Sequence, residues 1–186
     1  MLTSISPLGE RARGNRWSVT VGAYLLGSLL GGAAVGGLLG AVGQLLLRPL
    51  PLAAALVCLA AAVADLAGLL PHGRRQVDDT WLTRYRGWVY GFGFGSQLGV
   101  GVVTIVTSAA TYAVLALCLL SGSAAAGLAI GATFGLARAL PILVLQRATT
   151  PIALRSVGAR LERLSGAAGA TTAVVLTGAA VVLVAA

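Results

Sequence analysis

Charge is almost absent from five long stretches of this chain, residues 18–47, 52–70, 88–120, 124–145 and 170–186, and that absence decides its class. A helix needs about 20 predominantly apolar residues to cross a bilayer. The five stretches hold two charged side chains between them, Asp65 in the second and Arg138 in the fourth. Composition agrees: 58% of the 186 residues are apolar, 26 are glycine, and 10% are charged, against about 25% in an ordinary soluble domain. Such a chain has too few polar side chains to cover a soluble surface. Soluble, disordered, collagen-like and disulfide-scaffold classes are excluded. The expected fold is all-α, a single polytopic membrane domain of about five transmembrane helices.

The charges that remain indicate orientation. Every basic residue is an arginine. Arg11, Arg13 and Arg16 precede the first span, Arg74, Arg75, Arg84 and Arg86 lie between the second and third, and Arg147, Arg155, Arg160 and Arg163 between the fourth and fifth. The alternate loops hold Arg48 and the uncharged Ser121, Gly122 and Ser123. Positive residues accumulate on the cytoplasmic side, so the N-terminus is expected inside and the C-terminus outside. Trp17, Trp81, Tyr85, Trp88 and Tyr90 fall where an inner aromatic belt belongs. The first span is too long for the core of a cleavable signal and reads as a signal anchor. A multi-pass protein of a bacterial plasma membrane is expected, with membrane lipids and no nucleic acid as partners. The net charge of +8 is a topology signal.

Two segments are irregular. Residues 88–120 would make one helix of roughly 50 Å, against a hydrocarbon core of about 30 Å. Gly91, Gly93, Gly95, Gly99 and Gly101 weaken its first part, so either a premembrane turn or kink forms there, or a long tilted helix carries a glycine-rich contact face. Residues 151–164 read as a cytoplasmic amphipathic helix. Thr150 and Pro151 start it, and Leu154, Val157, Leu161 and Leu164 share its apolar face. Two glycine ladders, Gly32-Gly36-Gly40 followed by Gln44 and Gly127-Gly131-Gly135, predict close helix packing.

Few residues could carry chemistry. Gln97, Gly101, Thr104, Ser108 and Thr111 recur at helical spacing, a stripe that either lines a polar pathway or bonds to neighbouring helices. Asp65 and Arg138 sit at matching depths, six residues before Pro71 and three before Pro141. They either pair within the membrane, or Arg138 snorkels to the interface while Asp65 bonds Thr or Gln side chains. Cys58 and Cys118 have no Cys-x-x-Cys context and read as packing residues, with a cross-helix disulfide as the alternative. His72 has no second ligand nearby, so no metal site is expected. No catalytic residues and no cofactor site are found, and the chain is not expected to be an enzyme.

The order of Gly22-Ala-Tyr-Leu-Leu-Gly27, the hairpin ending at Pro71, Gly91-Phe-Gly-Phe-Gly95 and Gly131-Ala-Thr-Phe-Gly-Leu-Ala-Arg-Ala-Leu-Pro141 resembles the CcdA/DsbD-type transmembrane family of cytochrome c biogenesis and thiol-disulfide transfer. That family lies within a wider LysE-like transporter superfamily. The resemblance implies two inverted three-helix repeats, with the five spans matching the second to sixth helices. The helix that would carry the first redox cysteine has no counterpart, and Gly99 to Ile105 holds neither Cys nor Pro where the second belongs. The resemblance therefore implies the scaffold without the thiol relay. Three functions compete: a small-solute permease or transport subunit, completed by a homodimer partner or another membrane chain; a non-transporting scaffold or assembly partner; and transmembrane thiol-redox transfer.

Overall fold

Small residues set the architecture. The computed structural model describes residues 5–47, 49–69, 84–101, 109–147 and 170–184, together with residues 150, 153 and 156. All its regular elements are helical among the described residues. A short α1 (Pro7–Ala12) begins with Ser6, whose Oγ accepts from the Gly9 amide at 3.1 Å, and with Pro7 in its first turn. Gly14, at φ 72°, turns the chain away from it. The 30-residue α2 (Trp17–Leu46) follows, then α3 (Pro51–Leu66), again opened by a proline. The third expected span appears as two helices, α4 (Gly87–Val100) and α5 (Ala110–Leu120). Ser123 caps α6 (Ala124–Ala139), which continues as a 3-10 helix over Leu140–Arg147, and α7 is Ala170–Val184.

Helix α2 is the spine. One of its faces carries Gly27 and Gly31 against Phe92 and Ser96 of α4, and another carries Gly32, Gly36 and Gly40 against Gly131, Gly127 and Ser123. On the partner side, Gly91, Gly95 and Gly99 of α4 meet the Thr20, Tyr24 and Ser28 carbonyls in order, so α4 runs parallel to α2. The ladder on α6 meets α2 in reverse order, so those two are antiparallel. A Cβ on Gly36 or Gly131 would come closer than 3.0 Å to backbone of the facing helix, nearer than real Cβ atoms approach. Backbone therefore lies directly on backbone, the close approach that small residues permit in lipid. Ser28, fully buried, adds a bond from its Oγ to the Gly135 carbonyl at 2.7 Å.

Two apolar clusters flank this spine. The first joins Ile5, Val21, Tyr24, Tyr90, Phe94, Ala139, Ile142 and Leu145. The second joins Ala55, Cys58, Ala61 and Ala62 of α3 with Ala109 and Ala113 around α5, and Ala173, Leu176 and Ala180 of α7.

The five-span expectation is met in part. Among the described residues the regular structure is all helical, and two helices, Trp17–Leu46 and Ala124–Gln146, are both long and apolar enough to cross a membrane. Pro51–Leu66, Ala110–Leu120 and Ala170–Val184 are apolar and shorter. The physical reason is clearest in the third span, where α4 ends at Val100 and Gly101 takes the left-handed φ of 78°. The amphipathic segment 151–164 lies largely outside the described residues. Its start is visible, since Thr150 Oγ1 accepts from the Ala153 amide at 3.2 Å.

Candidate functional site: a buried carboxylate and a broken helix

Polar side chains inside the protein gather in two places, the N-terminal end of the α2–α4 pair and the break between α4 and α5. At the first, Glu10 of α1 is fully buried. Its carboxylate accepts from Arg13 Nη2 at 2.5 Å, from Thr20 Oγ1 at 2.8 Å and from the Tyr90 hydroxyl, which lies 2.5 Å from Oε2 and also touches Oε1. Asn15 Nδ2 in turn donates to the Tyr90 oxygen at 3.3 Å, and Trp17 Nε1 donates to the Ile5 carbonyl at 3.3 Å. Segments ten and 80 residues from Glu10 thus meet on one carboxylate. A buried charge requires such partners, because removal from water otherwise costs several kcal/mol. Burial works against the Arg13 charge, but the hydrogen bond to Glu10 and the fields of Tyr90 and Glu10 outweigh it. The guanidinium is held above its ordinary range and stays protonated. Sequence reasoning missed this cluster: the charges before the first span were read for orientation alone, through Arg11, Arg13 and Arg16. The available signal was Ser6-Pro7, a helix start just before the lone acid of the N-terminal segment.

The second place contains both expected intramembrane charges. Asp65, in the last turn of α3, accepts through Oδ1 from the amide of Ala109 at 2.5 Å, the residue that opens α5. Arg138 of α6 donates from Nη1 to the Leu98 carbonyl at 3.1 Å, in the last turn of α4, and stacks over the Phe134 ring at 5.4 Å. Each charge therefore faces the helix end whose dipole it complements, an anion at an N-terminus and a cation at a C-terminus. Gly101 lies beside Arg138, and a Cβ there would stand 3.3 Å from Thr111 Cγ2 and 3.5 Å from Arg138 Nη1. Helices α3 and α6 both pack against α5, and α6 also lies along α2.

The stripe is divided by the same break. Gln97 is half-buried on α4 and Thr111 is buried on α5, with Thr104 and Ser108 outside the described residues. Cys58 and Cys118 are free, buried thiols. Cys58 belongs to the alanine cluster, while Cys118 Sγ points to the Gly127 carbonyl at 3.6 Å. His72 lies outside the described residues, and among those described no three His, Cys, Asp or Glu side chains form a group that could hold a metal.

Comparison with known proteins redirects the functional reading. Over 153 residues, 77% of its length, the chain is 33% identical to a protein of Methylophilus methylotrophus. It is 36% identical over 154 residues, 81% of its length, to one of Paracoccus versutus, and 32% identical over 137 residues to one of Methylobacillus flagellatus. The chain is similar to the methylamine utilization protein MauF. All three relatives bear that name. The chain spans about half the length of these MauF proteins, 54%, 55% and 48% respectively. No family model and no solved structure matches it.

The likeness to MauF corrects the CcdA/DsbD-type and LysE-like resemblance. The quoted motifs are mostly glycine at four-residue spacing, and the structure shows what that spacing serves. Gly91, Gly95, Gly131 and Gly135 let backbones touch, a requirement of any tightly packed small-residue bundle. The functional readings fall with it. Neither the solute-permease reading nor thiol-redox transfer agrees with relatives named for methylamine utilization. The polar stripe behind the permease reading is not one continuous helix face, since α4 ends before Gly101.

Proposed function

We propose that this chain is a MauF-type protein that serves methylamine utilization from within a bacterial membrane, without bond-making chemistry of its own. The observation that carries the reading is the 33% identity to MauF of Methylophilus methylotrophus across 77% of the chain. Membrane placement has separate support. Leu26, Leu30 and Leu38 of α2, Leu56 and Val63 of α3 and Val174 and Val181 of α7 all present apolar side chains outward, as contact with lipid requires. The directions of α2, α4 and α6 suit alternating passes with the N-terminus inside, α4 and α5 together forming one interrupted pass parallel to α2. The assembled polar groups Glu10, Thr20, Tyr90, Asp65 and Arg138 hold helices to one another, which supports the non-enzymatic reading.

Disruption of the gene tests the process. Cells lacking the protein should fail to grow with methylamine as sole carbon source and grow normally on succinate, and restoration of the gene should restore methylamine growth. Normal growth of the mutant on methylamine would overturn the reading. Alkaline phosphatase fused after Ser123 should be active and fused after Arg163 inactive; the reverse pattern would invert the topology.

A further inference from the structure

The N-terminal ends of α2 and α4 border a cavity that the packing of the bundle leaves open. It measures about 340 Å³ and is lined by Asn15, Arg16, Val19 and Thr20 on one side and by Arg86 and Trp88 on the other. That volume falls at the low end of small-ligand sites, roughly 300–1,000 Å³. Gly87 allows the close approach behind it, since a Cβ there would stand 2.5 Å from Thr20 Oγ1 and 3.0 Å from Asn15 Cγ. Thr20 and Asn15 are already engaged, with Glu10 and Tyr90 respectively. The charge left to face an occupant is basic.

Arg16 and Arg86 form no ion pair among the described residues. The carboxylate bonded to Thr20, that of Glu10, has Arg13 as its counter-ion and does not neutralise them. Each of the two arginines stands directly before a helix that has no side-chain cap. Because α2 and α4 are parallel, their positive dipole ends lie on the same side and add to the guanidinium charges. Two like charges around one cavity call for an anion, and a guanidinium fork fits the paired oxygens of a phosphate.

The apolar wall selects among anions. Val19 and Trp88 are exposed, and below them on the same flank Leu26 of α2 and Phe92 of α4 are exposed too. Tyr90 and Phe94 turn to the opposite flank, where they join Val21 and Ile142 in the first apolar cluster. An open apolar seam thus descends from a basic cavity, the arrangement that suits an amphiphile with an anionic head. Basic pockets between helices on the cytoplasmic side of membrane proteins take such headgroups.

We propose that this cavity binds the phosphodiester headgroup of an anionic phospholipid, with Arg16 and Arg86 as counter-charges and an acyl chain lying along the Val19–Leu26 and Trp88–Phe92 seam. The site rests on the membrane placement proposed above and is independent of the methylamine reading.

Native mass spectrometry of the full chain in detergent, titrated with lipid, tests it. Phosphatidylglycerol should be retained at lower concentration than phosphatidylcholine with the same acyl chains. Arg16→Gln with Arg86→Gln should weaken phosphatidylglycerol binding by roughly 10- to 30-fold and leave phosphatidylcholine unchanged. Arg11→Gln with Arg84→Gln removes the same charge from exposed positions outside the cavity and should change little. An equal loss in that control overturns the site, since it reports surface charge in general. Absence of any preference for phosphatidylglycerol in the unaltered protein also overturns it, and that comparison needs no variant to fold. Displacement of bound phosphatidylglycerol by millimolar inorganic phosphate, but not by chloride at equal ionic strength, would assign the cavity to the free anion and overturn the lipid. The phosphatase fusions report membrane placement separately, so a correct topology without lipid preference defeats this site alone.

Discussion

The two halves of this protein are held together in different ways. Around α2, α4 and α6 the contacts are glycine against carbonyl, and the buried polar groups Glu10, Thr20, Ser28 and Tyr90 belong to this half. Around α3, α5 and α7 the buried residues are mainly alanine, with Cys58 and Leu176 as larger members. In lipid, apolar burial gives little drive to helix association, so close packing and hydrogen bonds must supply it. The glycine half gains contact by bringing backbones together, and any added atom there strikes another backbone. The alanine half keeps a methyl layer between helices, and a changed side chain can be accommodated within it. The first half should be intolerant and exactingly placed, the second more forgiving.

The largest effect is expected at the centre of the glycine half. Gly36→Leu puts a branched side chain against the Gly127 carbonyl and should separate α2 from α6, with loss of folded protein on size exclusion in mild detergent. Glu10→Ala comes next. It leaves the Tyr90 and Thr20 hydroxyls and Arg13 without their acceptor, and should cost about 2–3 kcal/mol in reversible unfolding, below the figure for a fully buried pair because the Arg13 side chain is 28% exposed. Arg138→Met removes the donor to the Leu98 carbonyl and should cost about 1–2 kcal/mol by the same measurement. The smallest effect belongs to the alanine half, where Cys58→Ala should cost about 1 kcal/mol or less. A Cys58→Ala loss as large as that of Glu10→Ala would erase the distinction between the halves.

What was legible in the sequence follows the same division. The ladders Gly32-Gly36-Gly40 and Gly127-Gly131-Gly135 are visible because they are periodic, and the structure lays them on each other. The interruption of the third span could be anticipated from its length and glycines, and it falls at Gly101. The partners of Asp65 and Arg138 could not. Each meets a backbone atom, the Ala109 amide or the Leu98 carbonyl, that becomes available only because α4 and α5 are separate helices. Glu10 was hidden for another reason. Its meaning depends on Tyr90, 80 residues away, and one acid among three arginines looks like an ordinary flanking charge. The glycine periodicity also misdirected the family assignment, since a packing requirement shared by many bundles carries little family information.

One pair of substitutions on a single helix tests the central claim, that the glycine half is held by backbone contact. Gly22 and Gly36 both lie within α2. A Cβ at Gly22 meets nothing within 4 Å, whereas one at Gly36 meets the backbone of Gly127 and Gly131. Reversible unfolding in mixed micelles should show Gly22→Ala unchanged or more stable by about 0.5–1 kcal/mol, from helix propensity. Gly36→Ala should be less stable by about 1–3 kcal/mol, from overpacking. Equal changes of the same sign at the two positions would contradict the account.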